Sequence, residues 1–236
     1  MSDSPTRRAG EAWSFRARVE REAALRFRRL AEAIRDLDGG SPVPALMERA
    51  AGDEDRHAIL CAELAERYGE PAGGASIDVE IAPRGLAPRE GVLYEVVAAC
   101  CITETESVAT VTVLLSAPAE PRVREVLHEI ARDEVVHSRM GWAHLAREEA
   151  RGVAFLGPWI PTMLAGTIEA ELFVESEGEP AAEELLRHGV LPRARKREIF
   201  VGALEQVVFP GLEQFGVDTA PARAWLESMQ TRRSPC

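Results

Sequence analysis

This chain of 236 residues has no Cys-x-x-Cys pair. Of its four cysteines, Cys61, Cys100, Cys101 and Cys236, two are adjacent and one is terminal. That is not a disulfide framework, and a reducing cytoplasm is the expected compartment. Basic charge is also in short supply. Twenty-eight Lys and Arg face 39 Asp and Glu, a net charge of −11 that argues against a nucleic-acid partner. No unbroken run of about 18 apolar residues occurs, so no membrane span is expected. The opening MSDSPTRRAGEAW lacks the apolar stretch of a secretory signal. No low-complexity linker divides the chain, which favours one domain over two. Tyrosine is scarce, limited to Tyr68 and Tyr94, which speaks against a tyrosyl-radical protein.

What is present reads as helix. Apolar steps of three and four along Trp13, Arg16, Glu20, Ala23, Phe27, Leu30, Ile34 and Leu37 predict a long first helix over 11–38, stopped by Gly39-Gly40. A second is predicted over 44–68. Residues 70–90 are rich in Gly and Pro and form a long connection. Only Ile77-Asp78-Val79-Glu80-Ile81 alternates as a fragment of extended chain would. A third helix, apolar on nearly every side, covers 91–116, and a fourth covers 122–151. Further helical stretches follow at about 159–177, 192–215 and 220–229, with a turn near 181–188. Short loops join helices one and two, and three and four; a long one joins two and three. The expected architecture is therefore all-α: a four-helix bundle over 11–151 with one long crossover, and additional C-terminal helices over 152–236 packed on it as part of the same domain.

Two stretches repeat: Asp53-Glu54-Asp55-Arg56-His57 and Asp133-Glu134-Val135-Val136-His137. In a helix, residues i and i+3 share a face, so Glu54 projects with His57 and Glu134 with His137. On the other two helices a glutamate stands where the apolar seam wants a leucine. These are Glu20 in the seam above, and Glu104 in Leu93, Val97, Cys100 or Cys101, Glu104, Val108, Val111, Leu115. A carboxylate in such a seam is costly unless it is paired or binds metal. One Glu from each of two helices and Glu-x-x-His from each of the other two is the ligand set of carboxylate-bridged dinuclear centres in helical bundles. Asp53 and Asp133, four residues before each histidine, are expected to orient the imidazoles through their outer N–H. Whether each reaches its own histidine or the one across the bundle is open at this stage. Cys61, Cys100 and Cys101 are candidate walls of an adjoining pocket, or small core residues.

A lone Glu-x-x-His is weak, and a third copy, Glu125-Val126-Leu127-His128, is expected on solvated surface half a turn away. Glu22 and Glu106 sit two residues from chosen ligands and are expected exposed or salt-bridged. The stretches E20, DEDRH, CITETE and IARDEVVHSRMGW together resemble the ferritin-like superfamily, most closely small bacterial ferritin-like domain proteins. The resemblance spans 13–145 with all six ligand positions filled, and is faint beyond, at HGVLPRARKREIFVGALEQVVFP. One departure stands out: an arginine often precedes the motif histidine, as Arg56 does, but Val136 takes that place in the second copy. The resemblance implies two iron ions (manganese or a mixed pair being the alternative), dioxygen or peroxide, a small-molecule substrate and a separate reductant. An oxidase or oxygenase is the expected activity, with a homodimer as the candidate assembly. A ferroxidase, a manganese catalase and a non-turnover metal-binding scaffold are the alternatives. The missing Cys-x-x-Cys removes rubrerythrin-type electron transfer.

Overall fold

A computed structural model of the chain describes residues 4–71, 74, 77, 79–168, 172–174 and 180–231. Among the described residues the secondary structure is helical, with no strand. Helix α1 spans Pro5–Leu37 and α2 spans Val43–Arg67, each with proline in its first turn, where the missing N–H costs nothing. Gly69, at φ 85°, follows the end of α2. Helix α3 covers Pro88–Ser116, where the Glu90 carboxylate accepts the Ala87 N–H at 3.0 Å, and α4 covers Pro121–Glu148. Then come α5, Ile160–Thr167; α6, Ala182–Arg187; α7, residues 193–214; and α8, Ala220–Thr231.

Several expectations need correction. Helix α5 ends at Thr167, with Ile168 already extended, rather than running to 177; residues 169–171 and 175–177 lie outside the described set. Leu37, placed in the first seam, is 43% exposed as the last residue of the helix, although Ile34 one turn earlier is buried. Ile77, Val79 and Ile81 belong to no strand and are exposed, while Asp78 lies outside the described residues. Cys236 does too.

Helix α3 is not regular. Val97–Thr103 forms a π turn, and the Thr103 hydroxyl donates to the Ala98 carbonyl, five residues back, at 3.0 Å. A π turn inserts a residue into the helical register. That explains why the seam reads equally well through Cys100 or Cys101, both of which are fully buried. All ten residues from Leu93 to Ile102 are buried, as the uniformly apolar pattern predicts. This helix is long and apolar enough to cross a membrane, but 61% of its most apolar window is buried within the protein. A second π turn, Leu204–Val208, interrupts α7 just before Pro210, which lacks the N–H that a regular helix would bond.

The chain forms two compact units. One comprises Met1–Ile81, Thr110–His137 and Gly178–Pro192; the other Ala82–Ala109, Ser138–Glu177 and Arg193–Cys236. The core of the first unit draws on four helical segments: Trp13 and Ala17 from α1, Cys61 and Leu64 from α2, Val111 and Leu114 from α3, Val126, Leu127 and Ile130 from α4. The second unit has its own core, including Leu93, Ile102, Leu145, Phe200 and Phe209. There Gly141 approaches the Cys100-Cys101 pair so closely that an added Cβ would lie 2.6 Å from the Cys100 Cβ.

Candidate metal centre

Glu20, Glu54, His57, Glu134 and His137 are all buried and all belong to the first unit. Helix α1 supplies Glu20 from its apolar seam, between Trp13 and Ala17 on one side and Ala23 and Phe27 on the other. Helix α2 supplies Glu54 and His57 one turn apart, and α4 supplies Glu134 and His137 in the same way. One donor atom from each of Glu20, Glu54, His57 and Glu134 lies within 4.8 Å of the others. Glu54 stands at the middle. Its Oε2 is 3.1 Å from His57 Nδ1 and its Oε1 is 2.8 Å from His137 Nδ1. Glu134 Oε1 approaches His57 Nδ1 at 3.8 Å, and the two imidazole centroids are 6.0 Å apart. Phe27 closes over His137 with an edge contact at 6.3 Å.

The outer nitrogens answer the question left open by the sequence. His57 Nε2 meets Asp133 Oδ2 at 3.3 Å, and His137 Nε2 meets Asp53 Oδ2 at 3.3 Å. Each aspartate therefore serves the histidine of the other copy. Arg56 ties the exchange together, donating to Asp53 at 2.9 Å and to Asp133 at 2.7 Å. With an aspartate accepting each Nε2–H, both Nδ1 lone pairs face the carboxylates. A lone pair aimed at a carboxylate oxygen is stable only with a proton or a cation between them.

The charges lead to the same conclusion. Burial first, then the neighbouring Glu54 and Glu134 carboxylates, raise the Glu20 pKa well above the ordinary value. Burial acts the same way on Glu54, but close pairing with His137 and His57 outweighs it and brings Glu54 down to about 2. Burial opposes protonation of His137, yet Glu54 and Glu134 carry it up to about 9. Asp133, which burial alone would raise, is held below its ordinary range by His57, Arg56 and Arg132.

These residues could hold a metal ion. Oxygen and imidazole donors converge, and His137 Nδ1 and Glu54 Oε1 are buried at 2.8 Å without the alignment of a hydrogen bond. The donor types suit iron or manganese. Glu104, the remaining expected ligand, is buried on α3 directly after the π turn, in the second unit. Of the cysteines, Cys61 lies in the core of the first unit, where it feels the Glu20 charge, and Cys101 in that of the second, with Cys100 equally buried. Burial raises the thiol pKa of Cys61 and of Cys101, which keeps both protonated. Glu125 and His128 are exposed, as expected of the third copy, and Glu22 pairs with Arg18 at 3.4 Å. Sequence reasoning undervalued two cations. Arg56 is more than a peripheral ion pair, and Arg16 is more than a seam residue.

No model of a protein family matches this chain, and no characterised protein is similar enough in sequence to count as its relative.

Proposed function

We propose that the chain is a ferritin-like dinuclear carboxylate protein that binds iron and uses dioxygen to oxidise a small molecule. The observation that carries this reading is the reciprocal arrangement. Two histidines present Nδ1 to shared glutamates while each Nε2 is held by the other copy's aspartate. In this reading Glu20, Glu54, Glu134, His57 and His137 would hold the metal, with Glu54 closest to both imidazoles. Glu104 enters from its position in the sequence pattern alone, as the carboxylate that completes the six. Iron, when bound, would relay to dioxygen the electrons given up by the small molecule and by a separate reductant.

The chain's own groups set the conditions for that chemistry. Asp53 and Asp133 fix the histidine tautomers, so that no imidazole must rotate on binding. Phe27 and the surrounding apolar residues exclude water from the donors, which strengthens each charge interaction there. In the metal-free protein the proton on His137 stands in for the missing cation; metal binding releases it.

Purification from medium without added metal, followed by elemental analysis and anomalous diffraction at the iron and manganese edges, tests the centre directly. About two ions per chain at the Glu54 cluster are expected. Failure to retain or take up either metal removes the proposal. Oxygen consumption by the anaerobically iron-loaded protein then tests the reaction, and its absence leaves a metal-binding protein without oxidase function.

A further inference from the structure

One cation beside the cluster remains unexplained. Arg16 lies one turn before Glu20 on α1, with its guanidinium stacked 4.9 Å from the centre of the Trp13 ring. Its inner nitrogen, Nη1, is buried and has no hydrogen-bond partner among the described residues. Stacking covers the face of a guanidinium and leaves its in-plane N–H donors free. A buried donor without an acceptor costs about 1–3 kcal/mol, so the arrangement calls for an acceptor.

Trp13 does not need Arg16 to hold it. Its indole N–H donates to the His188 carbonyl at 2.9 Å. Gly189, at φ 73°, lies against the ring so closely that a Cβ there would meet Trp13 at 2.7 Å. The ring is thus a fixed platform, and Arg16 rests on it. The charge also reaches the centre: it offsets part of the rise in the Glu20 pKa that burial and the neighbouring carboxylates cause.

The position matters as much as the charge. Glu20 is 8% exposed, whereas Glu54, His57, Glu134 and His137 are at 0–1%. In the first unit the cluster is therefore least enclosed at α1, where Arg16 stands half-buried. The solvent-facing part of its guanidinium offers donors to an anionic group one helical turn from a proposed metal ligand.

We infer that Arg16 is a recognition site for the carboxylate group of a small-molecule substrate, held on the Trp13 ring at the Glu20 side of the cluster. A planar carboxylate matches the guanidinium edge, and charge assistance roughly doubles the strength of such a hydrogen bond. The inference rests on the metal-centre reading for the reaction that follows, but not for the binding itself.

The test is calorimetric titration of the full chain with benzoate and with benzamide, matched in shape and differing in charge. It is run on protein as purified and again after chelation. Benzoate is expected to bind at least about tenfold more tightly than benzamide in both states, the equivalent of one charge-assisted contact. Arg16→Gln, which keeps much of the stem, removes that preference, and Arg16→Lys keeps part of it. Arg18→Ala, on the exposed face, leaves it unchanged. Metal content of Arg16→Gln equals that of the parent chain, because Arg16 is not a ligand. Equal binding of the two probes overturns the inference, and so does a benzoate preference that survives Arg16→Gln. A preference that vanishes on chelation alone also overturns it, since benzoate would then be a metal ligand. Loss of metal uptake with the Arg16-dependent preference intact sinks the metal reading and leaves this one standing.

Discussion

The two copies of the acid–histidine motif differ in one position that matters. The first reads Asp53-Glu54-Asp55-Arg56-His57, the second Asp133-Glu134-Val135-Val136-His137. In both, glutamate and histidine point inward while aspartate reaches across to the other copy. Only the first has an arginine, and it binds both aspartates. Val136 is 46% exposed and contributes nothing there. The comparison shows how a repeated motif can lose half of its outer support without losing symmetry at the centre. One cation, sharing its Nη2 between two acids, does the work of two. The inner carboxylates also differ. Glu54 lies 3.1 Å from the His57 imidazole and 2.8 Å from that of His137, whereas Glu134 Oε1 stands back from His57 at 3.8 Å.

That inequality predicts the largest effect. Glu54→Ala should abolish binding of both ions, a loss of more than about 100-fold, beyond the range of outer-sphere substitutions. Glu134→Ala should weaken binding less and leave one ion in place. Metal content per chain, measured against the parent, decides. Equal losses from the two substitutions would mean that Glu54 holds no special place.

Removing the metal should expose the protonation of the first unit's core. In chelated protein the folded pKa of His137 is raised from 6.5 to about 9, so its stabilisation is complete below pH 6.5 and is lost as pH rises through about 9. Glu54, lowered from 4.5 to about 2, contributes above pH 4.5 and loses its contribution as pH falls through 2. Glu20, raised by burial, adds a loss of stability that begins as pH rises above 4.5. The melting temperature of chelated protein should therefore fall by several degrees between pH 6.5 and 9, and His137→Gln should flatten that fall. Metal-loaded protein should lack it, since the cation has replaced the proton.

The crossed aspartates come next. Asp53→Asn and Asp133→Asn should each lower metal affinity about 10–100-fold. The pairing is sharpened by double substitution. Asp53→Asn should add little to His137→Ala, whose imidazole it no longer has to hold, but should add in full to His57→Ala. The opposite pattern would place each aspartate on its own histidine.

Much of this centre was legible in the sequence, because helical periodicity is a local property. Spacing of three and four puts Glu20 in the seam and His57 above Glu54, and the structure buries all three. Reach across to another helix is not local. Asp53 stands four residues before His57 on the same side of its helix, and nothing in the order of residues says whether it serves that histidine or one on another helix. The π turn at Val97–Thr103 was invisible for a related reason: it changes which carbonyl each N–H finds, not which residues are apolar. Its one trace was a seam that could pass through Cys100 or Cys101. The last turn of α1 went wrong in the other direction. Leu37 keeps the period, but periodicity says nothing of where burial stops along the helix. Nor did the long helices reveal that the chain divides within them, at Thr110 and at Ser138.

The smallest effect tests the equivalence of the copies most directly. Arg56 is 45% exposed at its side chain, and a solvent-exposed ion pair contributes little by itself. Here, however, it fixes two aspartates that are less than 20% exposed, and through them both imidazoles. Arg56→Ala should therefore weaken metal binding only about two- to fivefold, but should do so for both ions alike. Val136→Arg alone should change affinity by less than about twofold, because the aspartates are already bridged. Combined, the two substitutions move the cation from one copy to the other. An arginine at 136 stands three residues after Asp133, as Arg56 stands three after Asp53. The double variant should regain the affinity that Arg56→Ala loses, read as metal retained against a competing chelator. If it does not, the two copies are alike at their ligands but not in the ground around them, and the arginine belongs to α2 for a reason of its own.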